Sequence, residues 1–354
     1  MPNISSPAKA VALISGGLDS MLAAKVVMDQ GVNVEGVNFY TGFCVEGHTH
    51  AIRKKHRTSP KRNNALWVAN QLGIKLHVVD VVEDYKDVVL NPKYGYGKNL
   101  NPCLDCKIFM VGKAMDLTGF HGESFDFAIT GEVIGQRPKS QRKATMPIIA
   151  QESGAEDRLL RPLCARNLPE TLPERMGWVN RESLYGFSGR SRKPQMELAE
   201  QFGIEDYAQP AGGCCFLTDE QYSNKLQDLW NVREERNYEL DDVVLLKIGR
   251  HIRPQPSFKL VIAREEGESR FLQGYRNRFT SLREVSQKGP LALIDGGTGQ
   301  SDIRLAARIV ARYGQTRNNP TVTMEIQYTD GTSEQMEVEP FQPYQIPDTW
   351  HVGA

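Results

Sequence analysis

VALISGGLDS, residues 11–20 of a 354-residue chain, is the stretch that decides the fold. Its first part, Val11–Ile14, is a short apolar run that predicts a strand. Beyond it, apolar residues recur at helical spacing, at Leu22, Ala23, Val26 and Val27. The stretch therefore predicts a strand, a glycine-rich turn and a helix in direct succession.

The turn between this strand and helix has the composition of a phosphate-binding site. Gly16 and Gly17 let backbone N–H groups approach phosphate oxygens, and the helix N-terminus adds a favourable dipole. Ser15 and Ser20 carry hydroxyls that can donate hydrogen bonds, and Asp19 can hold a magnesium ion between phosphates. A turn capped by Ser and Asp without any ligand is the alternative.

The same strand and helix pattern recurs through the first half of the chain. Strands are predicted at Val34–Phe39, Leu76–Val82 and Phe125–Thr130, and a helix at Ala65–Leu72. Alternating strands and helices indicate an α/β fold with a parallel sheet covered on both faces. Ligands bind such sheets at the carboxyl ends of the strands, where the turn after Thr130 is also expected.

The SGGLDS sequence resembles the S-G-G-x-D-S loop of the PP-loop ATP pyrophosphatases, an adenine nucleotide alpha hydrolase-like group; no Gly-Lys-Ser/Thr follows, as a Walker A loop would require. The resemblance implies ATP cleavage between the α and β phosphates, with AMP left on the substrate. It also implies that Gly131, in the turn Ile129–Glu132, borders the nucleotide. Arg137 lies in a polar and cationic segment that is either near the phosphates or simply solvated.

Composition and charge bound the class of protein. Hydrophobic residues make up 40% and charged residues 24%, which is typical of globular proteins and excludes wholesale disorder. Lys+Arg and Asp+Glu both total 43, so the net charge does not favour nucleic acid and an RNA surface would need local basic clusters. Without a signal-peptide core or a membrane-length apolar segment, we expect a cytoplasmic protein that does not contact membranes.

The chain length predicts several domains. We expect a PP-loop catalytic domain over residues 1–178, a helical extension over 179–236 and a smaller α+β module over 237–354. Helices are predicted at Met196–Phe202 and Asp219–Leu229. In the module, the predicted strands are Val243–Ile248, Phe258–Ala263, Ser269–Tyr275, Leu291–Ile294 and Val322–Tyr328, with a helix at Ile303–Tyr313.

Two basic regions are candidates for RNA contact. One is the run from Arg53 to Arg62. The other is the C-terminal module, where basic residues alternate with aromatic residues in a way that suits phosphate contact and base stacking. These basic residues include Arg250, His251, Arg253, Arg264, Arg270, Arg276 and Arg278. An exposed face of an antiparallel sheet gives the same composition. The module is similar to the RNA-binding module of some relatives of 4-thiouridine synthetases.

The cysteines are clustered at Cys103 with Cys106 and at Cys214 with Cys215. Cytosolic thiols are kept reduced, so clusters of this kind indicate metal ligands or redox catalysts. Asn101-Pro102-Cys103-Leu104-Asp105-Cys106 resembles the N-P-x-x-x-C segment of tRNA 2-thiouridylases, with a second thiol added. The pair at 214–215 follows about where those enzymes carry their second catalytic cysteine.

Two sulfur mechanisms fit this resemblance. In the first, Cys103, Cys106 and either Cys214 or Cys215 hold a [4Fe-4S] cluster whose fourth iron binds hydrosulfide, and Cys215 aligns better as the third ligand because Phe216 follows it. In the second, Cys215 carries a persulfide and Cys106 resolves the resulting bond. A structural zinc is a third alternative, but such sites have four protein ligands.

The leading hypothesis is a tRNA sulfurtransferase. Such an enzyme uses ATP and Mg²⁺ to adenylate a uridine carbonyl oxygen and replaces that oxygen with sulfur from a sulfide or persulfide donor. Its rivals are a PP-loop amidating ligase with a structural metal, and an RNA-binding protein with a relic nucleotide site.

Overall fold

The computed structural model describes residues 8–45, 52, 62–116, 124–208, 213–297 and 299–353. The chain packs as two compact units. The first unit combines Met1–Thr41 with Arg62–Cys214, and the second combines Gly42–Lys61 with Cys215–Ala354. The three-part division at residues 178 and 236 stays a prediction. Most of the basic run from Arg53 to Arg62 lies outside the described residues, and only Arg62 belongs to them.

The first unit contains a five-stranded parallel sheet with the strand order β3-β2-β1-β4-β5. Its strands are β1 (Lys9–Leu13), β2 (Asn33–Tyr40), β3 (Leu76–Asp80), β4 (Phe127–Ile129) and β5 (Leu159–Leu160). The described helices of this unit are α1 (Leu18–Met28), α2 (Asn64–Leu72), α3 (Tyr85–Leu90), α4 (Cys103–Met115), α5 (Thr145–Glu152), α6 (Leu172–Arg175) and α7 (Lys193–Gln201). The α/β prediction is confirmed.

The core of this unit explains why the sheet forms here. Ala10, Ala12 and Ile14 of the first strand and its end are fully buried, as are Leu22 and Val27 of α1. A strand buried on both faces needs an apolar sequence without alternation, which is what the sequence from Val11 to Ile14 has. Because β1 is central and pairs with both β2 and β4, the turns that follow β1 and β4 lie side by side at one edge.

The second unit contains a six-stranded sheet with the order β11-β10-β8-β9-β7-β6, and neighbouring strands of its described residues pair antiparallel. Its strands are β6 (Arg250–Gln255), β7 (Phe258–Ile262), β8 (Thr280–Glu284), β9 (Ala292–Gly296), β10 (Val322–Gln327) and β11 (Ser333–Val338). Its helices are α8 (Glu220–Arg233), α9 (Leu240–Leu245), α10 (Glu266–Gln273) and α11 (Gln300–Ala311). The apolar side of α11, including Ile303, Ala307 and Val310, packs into the core of this unit.

Two strand predictions in the second unit are wrong. The segment predicted as a strand at Val243–Ile248 contains the end of helix α9 and the turn that follows it, because Glu239 and Asp242 form a reciprocal capping box that starts a helix. The segment Ser269–Tyr275 lies largely in helix α10, which has Glu266 and Glu268 in its first turn. In both cases acidic residues at the helix start outweigh the β-propensity of the apolar residues that follow.

Candidate functional site: a nucleotide loop and a thiol helix

The loop between β1 and α1 has the geometry that a phosphate-binding turn requires. Gly16 has a φ of +80°, and a Cβ added there would lie 2.6 Å from the Cβ of Asn64. Only glycine fits this position. The Ser20 hydroxyl donates to the carbonyl of Gly17 at 2.8 Å and lies 3.3 Å from the hydroxyl of Ser15. These bonds hold the loop in shape from within its own sequence.

Gly131 brings the turn after β4 into direct contact with this loop. A Cβ added to Gly131 would lie 2.4 Å from the carbonyl carbon of Asp19 and 2.6 Å from the backbone nitrogen of Ser20. Backbone atoms cannot move aside as a flexible side chain does, so the contact permits no side chain at residue 131. The two turns predicted to share the carboxyl edge of the sheet therefore meet.

Asp19 is the centre of a polar network above the loop. Its Oδ2 accepts a hydrogen bond from Gln136 at 2.8 Å, and Gln195 donates to Oε1 of Gln136 at 3.2 Å. Arg192 lies 3.7 Å from Oδ1 of Asp19. Sequence reasoning missed Arg192 and Gln195, and the only signal for them was a basic run just before α7.

Several polar atoms of this network are buried without a hydrogen-bond partner. They are Oδ1 of Asp19, Nε of Arg192 and Oε1 of Gln195. Buried polar groups are nearly always satisfied in folded proteins, so orphaned atoms point to a ligand or ion. An open carboxylate oxygen beside a glycine cradle fits Mg²⁺ with a phosphate group, because Mg²⁺ binds through one or two carboxylates together with substrate phosphates.

A buried ion pair stands behind the Gly131 turn. Nε of Arg161 lies 3.1 Å from Oε2 of Glu132, and the side chains are 5% and 1% exposed. Thr130 also donates to this carboxylate, at 3.0 Å. Burial acts to raise the pKa of Glu132, but the charges of Arg161 and Lys107 and the hydrogen bonds outweigh it and hold that pKa below its ordinary value.

Cys103 and Cys106 lie in the first turn of helix α4. Residues three apart on a helix share a face, so the C-x-x-C spacing presents both thiols on one side. Nδ2 of Asn101 donates to Sγ of Cys103 at 3.0 Å, and Tyr85 forms a side-chain hydrogen bond with Cys106. The asparagine of the N-P-x-x-x-C segment thus positions the first thiol.

A third thiol of the same unit is coupled to these two. Burial, together with the neighbouring Cys214, raises the pKa of Cys103 and raises that of Cys106 to about 12. Thiols in this environment stay protonated until a cation compensates for the lost solvation. The sulfur donors present, Cys103, Cys106 and Cys214, fit in type and number a cluster with three cysteine ligands. Within the described ranges, no group of three or more His, Cys, Asp or Glu side chains is close enough to hold a single metal ion.

One short segment joins the nucleotide loop to the thiol helix. Gln136 binds Asp19 of the loop, and the charge of the next residue, Arg137, opposes the rise in the pKa of Cys103 that burial causes. Lys107 of helix α4 also acts on Cys103, Cys106 and Glu132. The predicted nucleotide-binding residue Arg137 is thus within electrostatic reach of the thiols.

Cys215 has different surroundings, in the second unit. It forms an isolated antiparallel bridge with Cys44, and the buried ammonium of Lys247 is attracted to both residues. The prediction that Cys215 is the third cluster ligand stays a prediction.

Several basic residues that were predicted from the sequence to contact RNA are buried or form ion pairs within the protein. His251 is buried, with 2% exposure, and is therefore not available for RNA. Arg253 forms a bidentate pair with Asp228, and Arg278 pairs with Asp241. In the first unit, Arg62 pairs with Asp206 and stacks on Trp67. No helix in the described ranges is long and apolar enough to cross a membrane.

Each of the two units contains a segment that is similar to a known protein family. A family model for the tRNA methyl transferase HUP domain matches residues 8–148, and one for the NFACT protein RNA binding domain matches residues 249–351. A tRNA-specific 2-thiouridylase of Petrotoga mobilis is 32% identical over 120 residues, which cover 32% of this chain and 33% of the relative. That of Malacoplasma penetrans is 23% identical, over 66% of this chain and 63% of the relative.

The chain thus spans less than two thirds of the length of these curated relatives. A looser likeness, with 21% identity and a TM-score of 0.33, links it to a 4-thiouridine synthetase in complex with RNA and ATP, over 56% of this chain and 52% of that one. The loop, the parallel sheet and the matches to thiouridylases agree with one another. The first unit of this chain is similar to the tRNA methyl transferase HUP domain and to tRNA-specific 2-thiouridylases.

Proposed function

We propose that this protein is an ATP-dependent tRNA sulfurtransferase, which replaces a carbonyl oxygen of a uridine with sulfur. The observation that carries this proposal is the segment Gln136–Arg137, which binds the nucleotide loop with one residue and acts on a thiol with the next. A PP-loop enzyme that uses ammonia or an amine as nucleophile has no need for a thiol so close to its adenylation site.

In the first step, the uridine oxygen attacks the α phosphorus of ATP and pyrophosphate leaves. Backbone N–H groups of the loop at Gly16 and Gly17 and the hydroxyls of Ser15 and Ser20 would neutralise the phosphate charge as it develops. Asp19 would hold Mg²⁺ with its orphaned oxygen. The step turns an oxygen that leaves poorly into AMP, which leaves well.

In the second step, sulfur attacks the activated carbon and AMP departs. Cys103 and Cys106 would handle this sulfur together with a third thiol, for which the electrostatic coupling favours Cys214 over the Cys215 predicted from sequence. A [4Fe-4S] cluster bound to these thiolates would offer one open iron for hydrosulfide. A persulfide on Cys215 is the alternative without a cluster. The tRNA would be bound in part by residues 249–351, which resemble an RNA-binding domain.

The test separates the two steps with two variants. Asp19→Asn should abolish pyrophosphate release from ATP in the presence of tRNA. The double variant Cys103→Ser, Cys106→Ser should keep pyrophosphate release and lose thionucleosides, measured by mass spectrometry of digested tRNA. Cys164→Ser is the matched control, because it removes a buried thiol that the mechanism does not use, and the serine hydroxyl can still donate to the carbonyl of Glu132. Thionucleoside formation that survives the double variant would exclude sulfur transfer by these thiols and favour an amidating ligase.

An anaerobic absorption spectrum with iron and sulfide quantified per chain tests the cluster separately. Iron and sulfide that bind the wild type and are lost in the Cys214→Ser variant would support Cys214 as the third ligand. Retention of both in that variant and loss in Cys215→Ser would assign the position to Cys215.

A further inference from the structure

Cys44 and Cys215 are paired across two extended segments of the second unit. They form an isolated antiparallel bridge, in which the backbone N–H of Phe216 donates to the carbonyl of Phe43 at 2.9 Å. This hydrogen bond joins the neighbours of the two cysteines and not the cysteines themselves. Cys44 and Cys215 are therefore a non-hydrogen-bonded antiparallel pair, the class in which the two Cα atoms lie about 4.5 Å apart. A disulfide needs Cα atoms about 4.4–6.8 Å apart, so backbone geometry permits a bond between the two sulfurs.

A buried cation accompanies this thiol pair. Lys247 is 5% exposed, and its ammonium donates to the carbonyl of Gly42 and lies 3.5 Å from the carbonyl oxygen of Cys44. It lies 5.0 Å from the centre of the Phe216 ring. Burial lowers the pKa of Lys247 to about 8, and the charges of Cys44 and Cys215 oppose this shift. In its protonated form, an ammonium beside two thiols favours the thiolate that attacks and the anion that leaves in thiol–disulfide exchange.

Both thiols can be reached by reagents. The structure describes all six cysteines, and none is in a disulfide; Cys44 and Cys215 are partly exposed, whereas Cys164 is buried. Sequence reasoning assigned no chemistry to Cys44, because it has no neighbouring cysteine in the chain. Its partner becomes visible only in the fold.

We propose that Cys44 is the resolving thiol of a persulfide carried on Cys215, so that the pair releases hydrosulfide. A persulfide donor first transfers its outer sulfur to the Cys215 thiolate and leaves as a thiol. The Cys44 thiolate then attacks Sγ of Cys215, the bond to the outer sulfur breaks, and hydrosulfide departs with that electron pair. The Cys44–Cys215 disulfide remains and is returned to two thiols by an external dithiol, which is oxidised in turn.

This inference rests on the proposed function, for which it supplies sulfur in the reduced form that an open iron or an activated uridine accepts. It differs from the assignment made from sequence, in which Cys106 resolves the persulfide. It also leaves Cys214 for the set with Cys103 and Cys106.

The test uses the full chain, reduced under anaerobic conditions, with glutathione persulfide as the probe and without ATP or tRNA. We expect about one equivalent of hydrosulfide per chain and a disulfide that joins the tryptic peptides of Cys44 and Cys215. Cys44→Ser should release roughly tenfold less hydrosulfide and accumulate Cys215 with one extra sulfur atom. Cys164→Ser, at a buried thiol outside the proposed machinery, should keep the Cys44 disulfide, and Cys215→Ser should lose it.

Lys247 provides a second measurement, because Lys247→Arg should keep the rate of hydrosulfide release while Lys247→Met slows it. Thermal melts establish that each variant folds. If the Cys44→Ser variant does not fold, the experiment is repeated with Cys44→Ala. Hydrosulfide release by the Cys44 variants at the wild-type rate, or a disulfide between Cys106 and Cys215, would overturn the proposal. Because ATP and tRNA are absent, this failure leaves pyrophosphate release and tRNA thiolation to be judged on their own.

Discussion

The nucleotide loop and the thiol helix belong to the same unit but are assembled in different ways. The loop takes its shape from bonds within Ser15–Ser20, such as that from Ser20 to the Gly17 carbonyl. The thiols of Cys103 and Cys106 come from one helix turn, whereas Cys214, whose charge acts on both, belongs to a distant part of the chain. A site made of consecutive residues survives changes in its surroundings better than one made by tertiary packing.

Residues 131 and 132 connect these two kinds of site. Gly131 packs against the loop at Asp19, while the next residue, Glu132, is coupled to Lys107 on the thiol helix. A substitution at either residue should therefore disturb both sites, whereas a substitution within the loop or within the thiol helix should disturb only that site.

Arg161→Met should cause the largest loss of stability. It leaves the Glu132 carboxylate buried without its ion partner, which costs about 3–5 kcal/mol of unfolding free energy. Arg175→Met is the matched control, because Arg175 pairs with Asp157 at the surface, where an ion pair contributes about 0–1 kcal/mol. Urea titrations compare the two variants. Equal losses in both would show that the Glu132 pair does not support the fold.

The same pair predicts a dependence on pH. The pKa of Glu132 is lowered from its ordinary value near 4.5, so its contribution to stability is present above that pH and is lost as the pH falls through the folded-state value. Glu132→Gln removes this titration. Between pH 5 and pH 3, the unfolding free energy should therefore fall less steeply in Glu132→Gln than in the wild type, and parallel slopes would contradict the assignment.

Gly131→Ala should have the next largest effect, and it should act on the loop. The added Cβ would lie 2.4 Å from backbone atoms of Asp19, so the turn or helix α1 must move, at a cost of about 1–3 kcal/mol. Pyrophosphate release should fall by at least about tenfold, since the shift reaches the phosphate-binding residues. Gly186→Ala is the control, because its Cβ would meet neighbours only at 3.5 Å or beyond. A Gly131→Ala enzyme with wild-type pyrophosphate release would disprove the contact.

The extent to which sequence predicted these sites follows from how they are built. Strands β1 to β4 and helix α2 were predicted within a few residues, because buried parallel strands leave apolar runs bounded by turns. The position of the turn between β1 and α1 was predicted, since its bonds join near neighbours, and its binding of a nucleotide stays a prediction. In the second unit, Val243–Ile248 and Ser269–Tyr275 were predicted as strands, and the capping residues that make them helical lie outside those segments.

The surroundings of the site were beyond sequence reasoning for a different reason. Arg161, Arg192 and Gln195 reach the site only through tertiary packing, and the only mark in their own neighbourhoods is the basic run just before α7. Cys44 acquires a partner only across a bridge of the second unit. The sequence could not decide between Cys214 and Cys215. Adjacent side chains face different directions, and the sequence does not show which of the two faces the other thiols.

Asn101→Ala should have the smallest effect, confined to the thiol helix. It removes the hydrogen bond to Sγ of Cys103, which favours the thiolate and opposes the effect of burial. A hydrogen bond of this kind contributes about 1 kcal/mol, so the pKa of Cys103 should rise and its alkylation by iodoacetamide at fixed pH should slow roughly fivefold. Mass spectrometry of the tryptic peptide 99–107, with fragmentation between the two cysteines, measures Cys103 and Cys106 separately.

Asn91→Ala is the control, since Asn91 bonds to Asp87 at the exposed end of helix α3. If pyrophosphate release is unchanged while the alkylation of Cys103 slows, the thiol site can be altered without affecting the nucleotide loop. If Asn101→Ala also reduces pyrophosphate release, the loop depends on the thiol helix, and the distinction between a local and a tertiary site fails at the position where it should be clearest.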